Sequence, residues 1–212
     1  MRRIAFICLA LVCIASSSFA QARDRGYVQG IGGVAATSAT DGVFAGAVAV
    51  RATNRLHVFG ELGHLRNGIW TSLDDELTAT GEAITGQIAA LFGDGTTATF
   101  EAKVPTWYGL GGARFLGPRL GAVETYLEGG IGFARLRPEV HLDIGEERLD
   151  AEAERLLSLE SERSELMSAA GAGIAFRVAG PIRVEAGYRF SRIHGDQPFN
   201  VNRVHAGLGF AF

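Results

Sequence analysis

The feature that most constrains the fold of this 212-residue chain is a strict alternation of side-chain types in its last two segments. From Ile182 to Phe190, every second residue is apolar, and arginine, glutamate or glycine occupies the positions between. The stretch from Val204 to Phe212 alternates in the same way, with histidine, glycine and alanine between its apolar residues. Because successive side chains of a β-strand point to opposite faces, this period of two predicts strands with one apolar face each.

Similar segments recur along the chain, and each of the eight candidates is ten residues or longer. They are Tyr27–Ala36, Gly42–Ala52, Arg55–Arg66, Pro105–Leu116, Ala122–Leu136, Leu166–Val178, Ile182–Ile193 and Val201–Phe212. Strands of soluble proteins average about five or six residues. Ten residues tilted by about 45° rise about 23 Å, close to the apolar band of an outer-membrane barrel. Alternation alone also fits a soluble barrel or sandwich whose apolar faces point inward. Such a barrel could hold an apolar ligand. The chemistry of the two strand faces therefore has to decide between a membrane barrel and a soluble one.

The connections between the candidate strands alternate between short and long. Turns of a few residues are predicted at Thr53-Asn54, at 117–121 and at 179–181, whereas the two longest connections span 67–104 and 137–165. This layout predicts an all-β fold, an eight-stranded antiparallel transmembrane β-barrel with short periplasmic turns and two long extracellular loops. Glycines inside the strands, among them Gly111 and Gly173, are expected to bend the sheet and to leave room for large inward side chains.

Residues 1–20 are predicted to be a secretory signal peptide, which leaves residues 21–212 for the barrel domain. Arg2 and Arg3 precede the apolar run 4–14, and the small residues Ser18 and Ala20 mark the cleavage site, after Ala20. The apolar run is too short to cross a bilayer as a helix, which argues against the alternative of a membrane anchor. Both cysteines lie in this segment, so the mature chain is expected to have no disulfide and no thiolate metal site.

The closing segments of the chain carry a family resemblance. With the signal peptide, Tyr188-Arg189-Phe190, Val201-Asn202-Arg203-Val204 and the run 207–212, the chain resembles the small bacterial outer-membrane β-barrel proteins: the OmpA-type transmembrane domain, the OmpX-like proteins and the opacity-type porin family. The resemblance implies that Phe210 and Phe212 on the last strand form the signal read by the outer-membrane assembly machinery. It also implies an outer-membrane location and contact with outer-membrane lipid and lipopolysaccharide. We expect a monomer, and without a basic cluster we expect no nucleic-acid partner.

In such a barrel the charged face of each strand points into the lumen, because a charge facing lipid is costly. The predicted interior polar network consists of Glu61, Glu124, Glu128, Glu185, Arg51, Arg114, Arg177, Arg183, Arg189 and Arg203. We expect these residues to form salt bridges that plug the barrel. The alternative is a gate that opens a small pore when the arginines exchange partners. On the fourth candidate strand, Tyr108 and Leu110 share a face with Arg114. If apolar residues face lipid and arginine faces the lumen, the three cannot lie on one face, so the pattern predicts a bulge in that strand.

No catalytic, cofactor-binding or metal site is predicted. The histidines lack metal-binding spacing, and Glu124 and Glu128 lie about 13 Å apart along one strand, too far for a glycosidase pair. Ser191 and His194, with Asp196 as a candidate for orienting the histidine, are near a strand end. They leave open one alternative, a lipid-modifying enzyme with its site at the outer rim of the barrel.

The two long loops hold most of the acidic residues. Residues 67–103 contain six acids and one base, and residues 139–165 contain ten acids and three bases. Apolar stripes predict helical turns in both loops, in the first with a capping box at Ser72 and Asp75. The stripe residues are Leu77, Ile84, Ile88 and Leu91 in the first loop and Leu149, Ala153 and Leu156 in the second. Binding residues favour loops on rigid scaffolds. We therefore expect a protein with a structural or surface-interaction role, similar to an adhesin, whose partner binds loops 67–103 and 137–165. We expect the barrel itself to have little or no permeability.

Overall fold

The computed structural model describes residues 25–37, 40–68, 78–81, 83, 86, 98–144, 147–148 and 162–212. Its strands are β1 (Gly26–Ala36), β2 (Thr40–Arg51), β3 (Leu56–Leu65), β4 (Ala98–Lys103), β5 (Thr106–Leu120), β6 (Val123–Leu136), β7 (Glu139–Ile144), β8 (Glu147–Arg148), β9 (Arg163–Ala179), β10 (Ile182–His194) and β11 (Phe199–Ala211).

Eight of these strands close into a barrel in the order β1-β11-β10-β9-β6-β5-β3-β2. Every neighbouring pair is antiparallel, including the pair of β1 with β11 that closes the sheet. The predicted eight-stranded antiparallel barrel is therefore confirmed. Closure pairs both edges of the sheet, which removes the exposed backbone groups of an open edge. In the described part of the chain, no helix is long and apolar enough to cross a membrane.

The two ends of the barrel differ in their connections. One end, the turn end, carries the short turns β2–β3, β5–β6 and β9–β10 together with the start of β1 and the end of β11. The opposite end, the loop end, carries the long connections from β3 to β5 and from β6 to β9. This is the predicted layout, in which the turn end faces the periplasm and the loop end faces the outside of the cell.

One predicted turn is wrong. The sequence pattern ends the strand at Leu116, but β5 continues to Leu120 after a register shift between Leu116 and Arg119, and Arg119 pairs with Glu124. The turn is then only Gly121 and Ala122, with Gly121 at a φ of 66°. The bulge accommodates Pro118, which has no N–H to donate to a ladder, and glycine supplies the left-handed backbone of the tight turn.

The apolar faces of the strands point outward. Val204 and Leu208 of β11 are 59% and 61% exposed, whereas Arg203 and His205 beside them are 4% and 3% exposed. Strand β10 alternates in the same way, with exposed Tyr188 beside buried Arg189. A soluble barrel would bury the apolar face and expose the charges, so this distribution overturns that alternative.

Large aromatic side chains gather on the outer surface near both ends of the barrel. Trp107 and Phe133 are 63% and 66% exposed near the loop end, and Phe115 and Phe210 are 48% and 57% exposed near the turn end. Two aromatic girdles around an apolar band are typical of transmembrane barrels, because aromatic rings favour the two membrane–water interfaces.

The long loops contribute a second sheet that the sequence patterns did not predict. Strands β4 and β7 pair antiparallel over six residues each, from Ala98↔Ile144 to Lys103↔Glu139, and β8 pairs with β7. The two loops are thus joined by a three-stranded sheet. The predicted helical stripes and capping box lie outside the described residues, although residues 78–81 are helical.

Glycine at position 173 makes room for a tyrosine inside the barrel, which gives a testable packing prediction. A Cβ at Gly173 would lie 2.5 Å from the Ala186 carbonyl oxygen and 2.5 Å from Tyr126 Cζ. We expect Gly173→Ala to lower the free energy of unfolding by about 1–3 kcal/mol through overpacking. Urea unfolding of the protein in phospholipid vesicles measures this. Gly111→Ala is the matched control, since its Cβ would meet no described atom within 4 Å and it should be neutral or stabilise by up to about 1 kcal/mol.

Candidate functional site

The candidate site is the lumen of the barrel, where six charged side chains form one continuous chain of ion pairs. Its turn-end half is centred on Arg114 of β5. Arg114 Nη2 lies 2.7 Å from Glu128 Oε2, and Arg114 Nη1 lies 2.7 Å from Glu185 Oε2. The guanidinium also stacks over the Tyr126 ring at 4.0 Å, and Gln29 Nε2 donates to Glu185 Oε1 at 2.7 Å.

The loop-end half of the chain is centred on Glu61 of β3. Arg189 bridges the two halves, because its Nη2 lies 2.6 Å from Glu128 Oε1 and its Nη1 lies 2.8 Å from Glu61 Oε1. Glu61 Oε1 also accepts from Arg203 Nη1 at 2.9 Å and from the Tyr108 hydroxyl at 2.8 Å. Arg203 contacts the Tyr108 hydroxyl as well.

The order of charges along this chain is Glu185, Arg114, Glu128, Arg189, Glu61 and Arg203, three carboxylates alternating with three guanidiniums. Each of these side chains is at most 5% exposed. We refer to these six residues as the lumen network. The burial of a charge is tolerated when it is paired and hydrogen-bonded, so strict alternation lets a narrow lumen hold six charges with no net charge.

The other four residues of the predicted interior set lie towards the turn end, outside the lumen network. Arg183 is 8% exposed, and Arg51, Arg177 and Glu124 are partly buried. Glu124 Oε1 accepts from Arg119 Nε at 2.9 Å. Glu124 and Glu128 therefore each contact arginines.

The predicted phase conflict on β5 does not exist. Tyr108, Leu110 and Arg114 all point into the lumen at 6%, 3% and 1% exposure, and the pairing of β5 with β6 is regular from Thr106 to Leu116. The bulge expected near these residues lies instead beyond Leu116. Tyr108 belongs inside because its hydroxyl donates to Glu61, a partner on the neighbouring strand that the local pattern of β5 does not reveal.

Above the lumen network, the loop end of the barrel interior is apolar, a feature that the sequence reasoning missed. The buried side chains of this apolar cap are Val43, Leu65, Leu136, Met167, Ile193, Phe199 and Val201. Ile193 shares its phase with Arg189, and Val201 shares its phase with Arg203. The sequence did contain this signal. Along β10 and β11 the inward-facing positions change from arginine to large apolar residues, and this change predicts an apolar plug.

The residues proposed for a rim enzyme do not meet. Ser191 is buried in the lumen at 7% exposure, whereas His194 is on the outer surface, because the two differ by an odd number of positions on one strand. His194 Nε2 instead lies 2.8 Å from Ser168 Oγ of the adjacent strand β9. This hydroxyl–imidazole contact is exposed on the outer surface near the loop end. No cluster that would suit a metal ion occurs among the described residues.

Ion pairs also hold the base of the second long loop. Arg135 Nε lies 2.5 Å from Glu162 Oε1, and Arg137 Nη2 lies 3.6 Å from the same oxygen. The hydrogen bond and charge of Arg135 hold the pKa of Glu162 below its usual range.

Comparison with known proteins now decides what kind of barrel this is. The model of the outer membrane protein beta-barrel domain matches residues 6–212. The chain belongs to this family. It is thus an outer-membrane β-barrel protein, which confirms the resemblance drawn from the sequence and places the protein in the bacterial outer membrane. The turn end of this outer-membrane barrel faces the periplasm and its loop end faces outward.

Solved structures agree with the fold of this outer-membrane barrel. Neisserial surface protein A superposes with a TM-score of 0.55 at 15% identity, covering 88% of this chain and 97% of that one. A major outer membrane protein from Thermus thermophilus has a TM-score of 0.54 at 11% identity, covering 88% of this chain and 99% of that one. At these identities the likeness concerns the fold alone. No curated protein matches the chain significantly.

Proposed function

We propose that the protein is a sealed outer-membrane scaffold whose task is surface interaction through its two long acidic loops. The observation that carries this proposal is the filled lumen. The lumen network and the apolar cap occupy the interior of an eight-stranded barrel, which is just wide enough for side chains to fill. A barrel without an aqueous path acts through what it presents at its surface.

The loops supply the surface. Strands β4 and β7 join them into one sheet, so the two loops present a common platform on a rigid base. Residues 67–103 and 139–165 together contain 16 acids and 4 bases. This excess of negative charge favours a cationic partner, either a basic protein surface or lipopolysaccharide bridged by divalent cations.

Conductance across planar bilayers tests the sealed lumen. We expect the full chain to give no discrete conductance steps under conditions in which a general porin, the control, gives clear ones. Regular steps from the full chain would show that the lumen opens, and would favour the alternative of a small gated pore.

Retention on an immobilised polycation tests the surface role. The protein in nonionic detergent should be retained at low salt and released at high salt, because exposed charges are screened. Neutralising three acids of the second loop, with Asp150→Asn, Glu152→Gln and Glu154→Gln, should lower the salt concentration of release. The position of the charge is tested with one acid at a time: Glu152→Gln in the loop should lower the salt concentration of release, whereas Glu124→Gln at the turn end, the matched control, should leave it unchanged. Equal release of both variants and the unmodified chain would contradict the loop assignment.

The contact of Ser168 with His194 favours a second candidate, a rim enzyme that deacylates outer-leaflet lipid. A serine nucleophile needs a base within hydrogen-bond reach, and the 2.8 Å contact meets that need. Ser168 Oγ would attack the acyl carbon of a lipid ester while His194 Nε2 takes its proton. The ester C–O bond would then break as His194 returns the proton to the departing lipid alcohol. Water, activated by His194, would hydrolyse the acyl-serine ester, which releases the fatty acid and restores Ser168. Mass spectrometry of lipopolysaccharide incubated with the protein should show acyl loss that Ser168→Ala abolishes and Ser191→Ala retains. No acyl loss with the unmodified chain would rule this candidate out.

A further inference from the structure

The turn end of the barrel contains a polar cavity that neither the sealed lumen nor the surface loops explain. Its volume is about 200 Å³, enough for a small ion and several waters. It lies on the periplasmic side of the lumen network, where the ends of β2, β5, β6 and β10 meet. Its lining residues include Arg51, Arg55, His57, Arg119, Glu124 and Arg183.

The charges that line this cavity do not balance. Four arginines face one glutamate, a formal excess of three positive charges. In the lumen network, by contrast, arginines and glutamates are equal in number. An excess of guanidinium groups around a cavity raises the local concentration of anions, because the low dielectric of the walls focuses the field.

The side chain of Arg183 is the most informative feature of the cavity. It is only 9% exposed, and its contacts with Glu124 and Glu185 are ion pairs at 3.7 Å, beyond hydrogen-bond distance. Its Nε and Nη2 atoms have no hydrogen-bond partner among the described residues. The guanidinium lies 4.5 Å from the centre of the Tyr27 ring, which packs against one of its faces.

A second unpartnered group lines the same cavity. His57 is 4% exposed, and its Nδ1 atom has no hydrogen-bond partner within the part of the chain that the structure describes. Other buried side chains of the lumen, such as Arg203 and His205, also have atoms without a hydrogen-bond partner among the described residues. Of the side chains with such atoms, Arg183 and His57 are the two that line this cavity. An anion held there would therefore lie beside both residues.

We propose that this turn-end cavity binds a small phosphate-type oxyanion from the periplasmic side, with Arg183 as its central ligand. A guanidinium edge binds phosphate with two parallel N–H···O bonds. Arg51, Arg55 and Arg119 supply the remaining positive charge at the mouth. The phosphate group belongs either to a free ion or to the headgroup of an inner-leaflet lipid. This site does not depend on the proposed surface role, because it lies at the opposite end of the barrel.

Calorimetric titration of the refolded full chain in a maltoside detergent, which carries no phosphate, tests the proposal. Inorganic phosphate should bind saturably, and Arg183→Gln should bind at least about tenfold more weakly, equivalent to about 1.4 kcal/mol. Arg192→Gln is the matched control, since Arg192 lies near the loop end, far from the cavity, and it should bind within about twofold of the unmodified chain. If Arg183→Gln fails to fold, as shown by its gel mobility before and after heating, Arg55→Gln at the exposed turn replaces it and should also weaken binding.

Competition distinguishes the two sources of the phosphate group. If phosphatidylglycerol in mixed micelles displaces inorganic phosphate, the site takes a lipid headgroup; if it does not, the site takes the free ion. If neither inorganic phosphate nor phosphatidylglycerol binds saturably, the proposal is wrong. Phosphate binding that is equally strong in the unmodified chain, Arg183→Gln and Arg55→Gln would overturn it as well.

Discussion

Replacement of Arg114 by alanine is expected to lower the free energy of unfolding by about 3–5 kcal/mol, the largest effect of any single substitution considered for this barrel. Arg114 contacts Glu128 and Glu185 at 2.7 Å and is 1% exposed. Its loss leaves Glu185 buried beside Gln29 and the more distant Arg183, and a poorly paired buried carboxylate is far more costly than an empty space.

Urea unfolding in phospholipid vesicles measures this loss, with folding followed by the gel mobility of unheated samples. Arg135→Ala is the control: Arg135 also pairs with a glutamate, but its side chain is 62% exposed. Pairs of that kind contribute about 0–1 kcal/mol. If the two variants were destabilised equally, the burial of the carboxylates that Arg114 pairs with would not be what makes its loss costly.

Val204→Arg is expected to be the most damaging change on the outer surface, lowering the free energy of unfolding by about 2–4 kcal/mol. Val204 is near the middle of β11, between Val34 and Tyr188 of the neighbouring strands, and is 59% exposed. In the membrane this exposed face is covered by lipid tails, where a guanidinium loses its hydration.

Leu166→Arg, on the same outer face but near the loop end of β9, is the matched control. It should cost only about 0–1 kcal/mol, because an arginine at the interface reaches water and headgroups. The same vesicle unfolding assay compares the two variants. Equal costs would mean that Val204 does not lie near the middle of the bilayer, which would contradict the depth assigned to β11.

Both predictions follow because this barrel reverses the usual arrangement of apolar and charged side chains in a folded protein. A soluble protein is stabilised by an apolar interior, whereas this barrel places charges inside and apolar side chains outside. Its interior is therefore filled by alternating ion pairs and by the apolar cap at the loop end. The turn-end cavity, lined by four arginines and one glutamate, belongs to the same charged interior.

Much of this architecture was predictable because alternation is a local property. The face on which Arg203 or Val204 lies depends only on its position along its own strand, so the sequence of β11 determines it. Strand length, glycine-rich turns and the order of short and long connections are equally local. From these features the chain itself determined an eight-stranded barrel with an apolar outside, with strand boundaries that differ from the structure by at most four residues.

What only the tertiary structure decided is which residues on different strands face each other. The pairing of Glu61 with Arg203 joins positions 142 residues apart, and the contact of Ser168 with His194 depends on the register of β9 against β10. Register is set by closure of the whole sheet and by the bulge after Leu116, and no single strand encodes it. Tyr108 shows the same division: its position along β5 places it on the face of Arg114, but the neighbouring strand β3 decides that its hydroxyl meets Glu61.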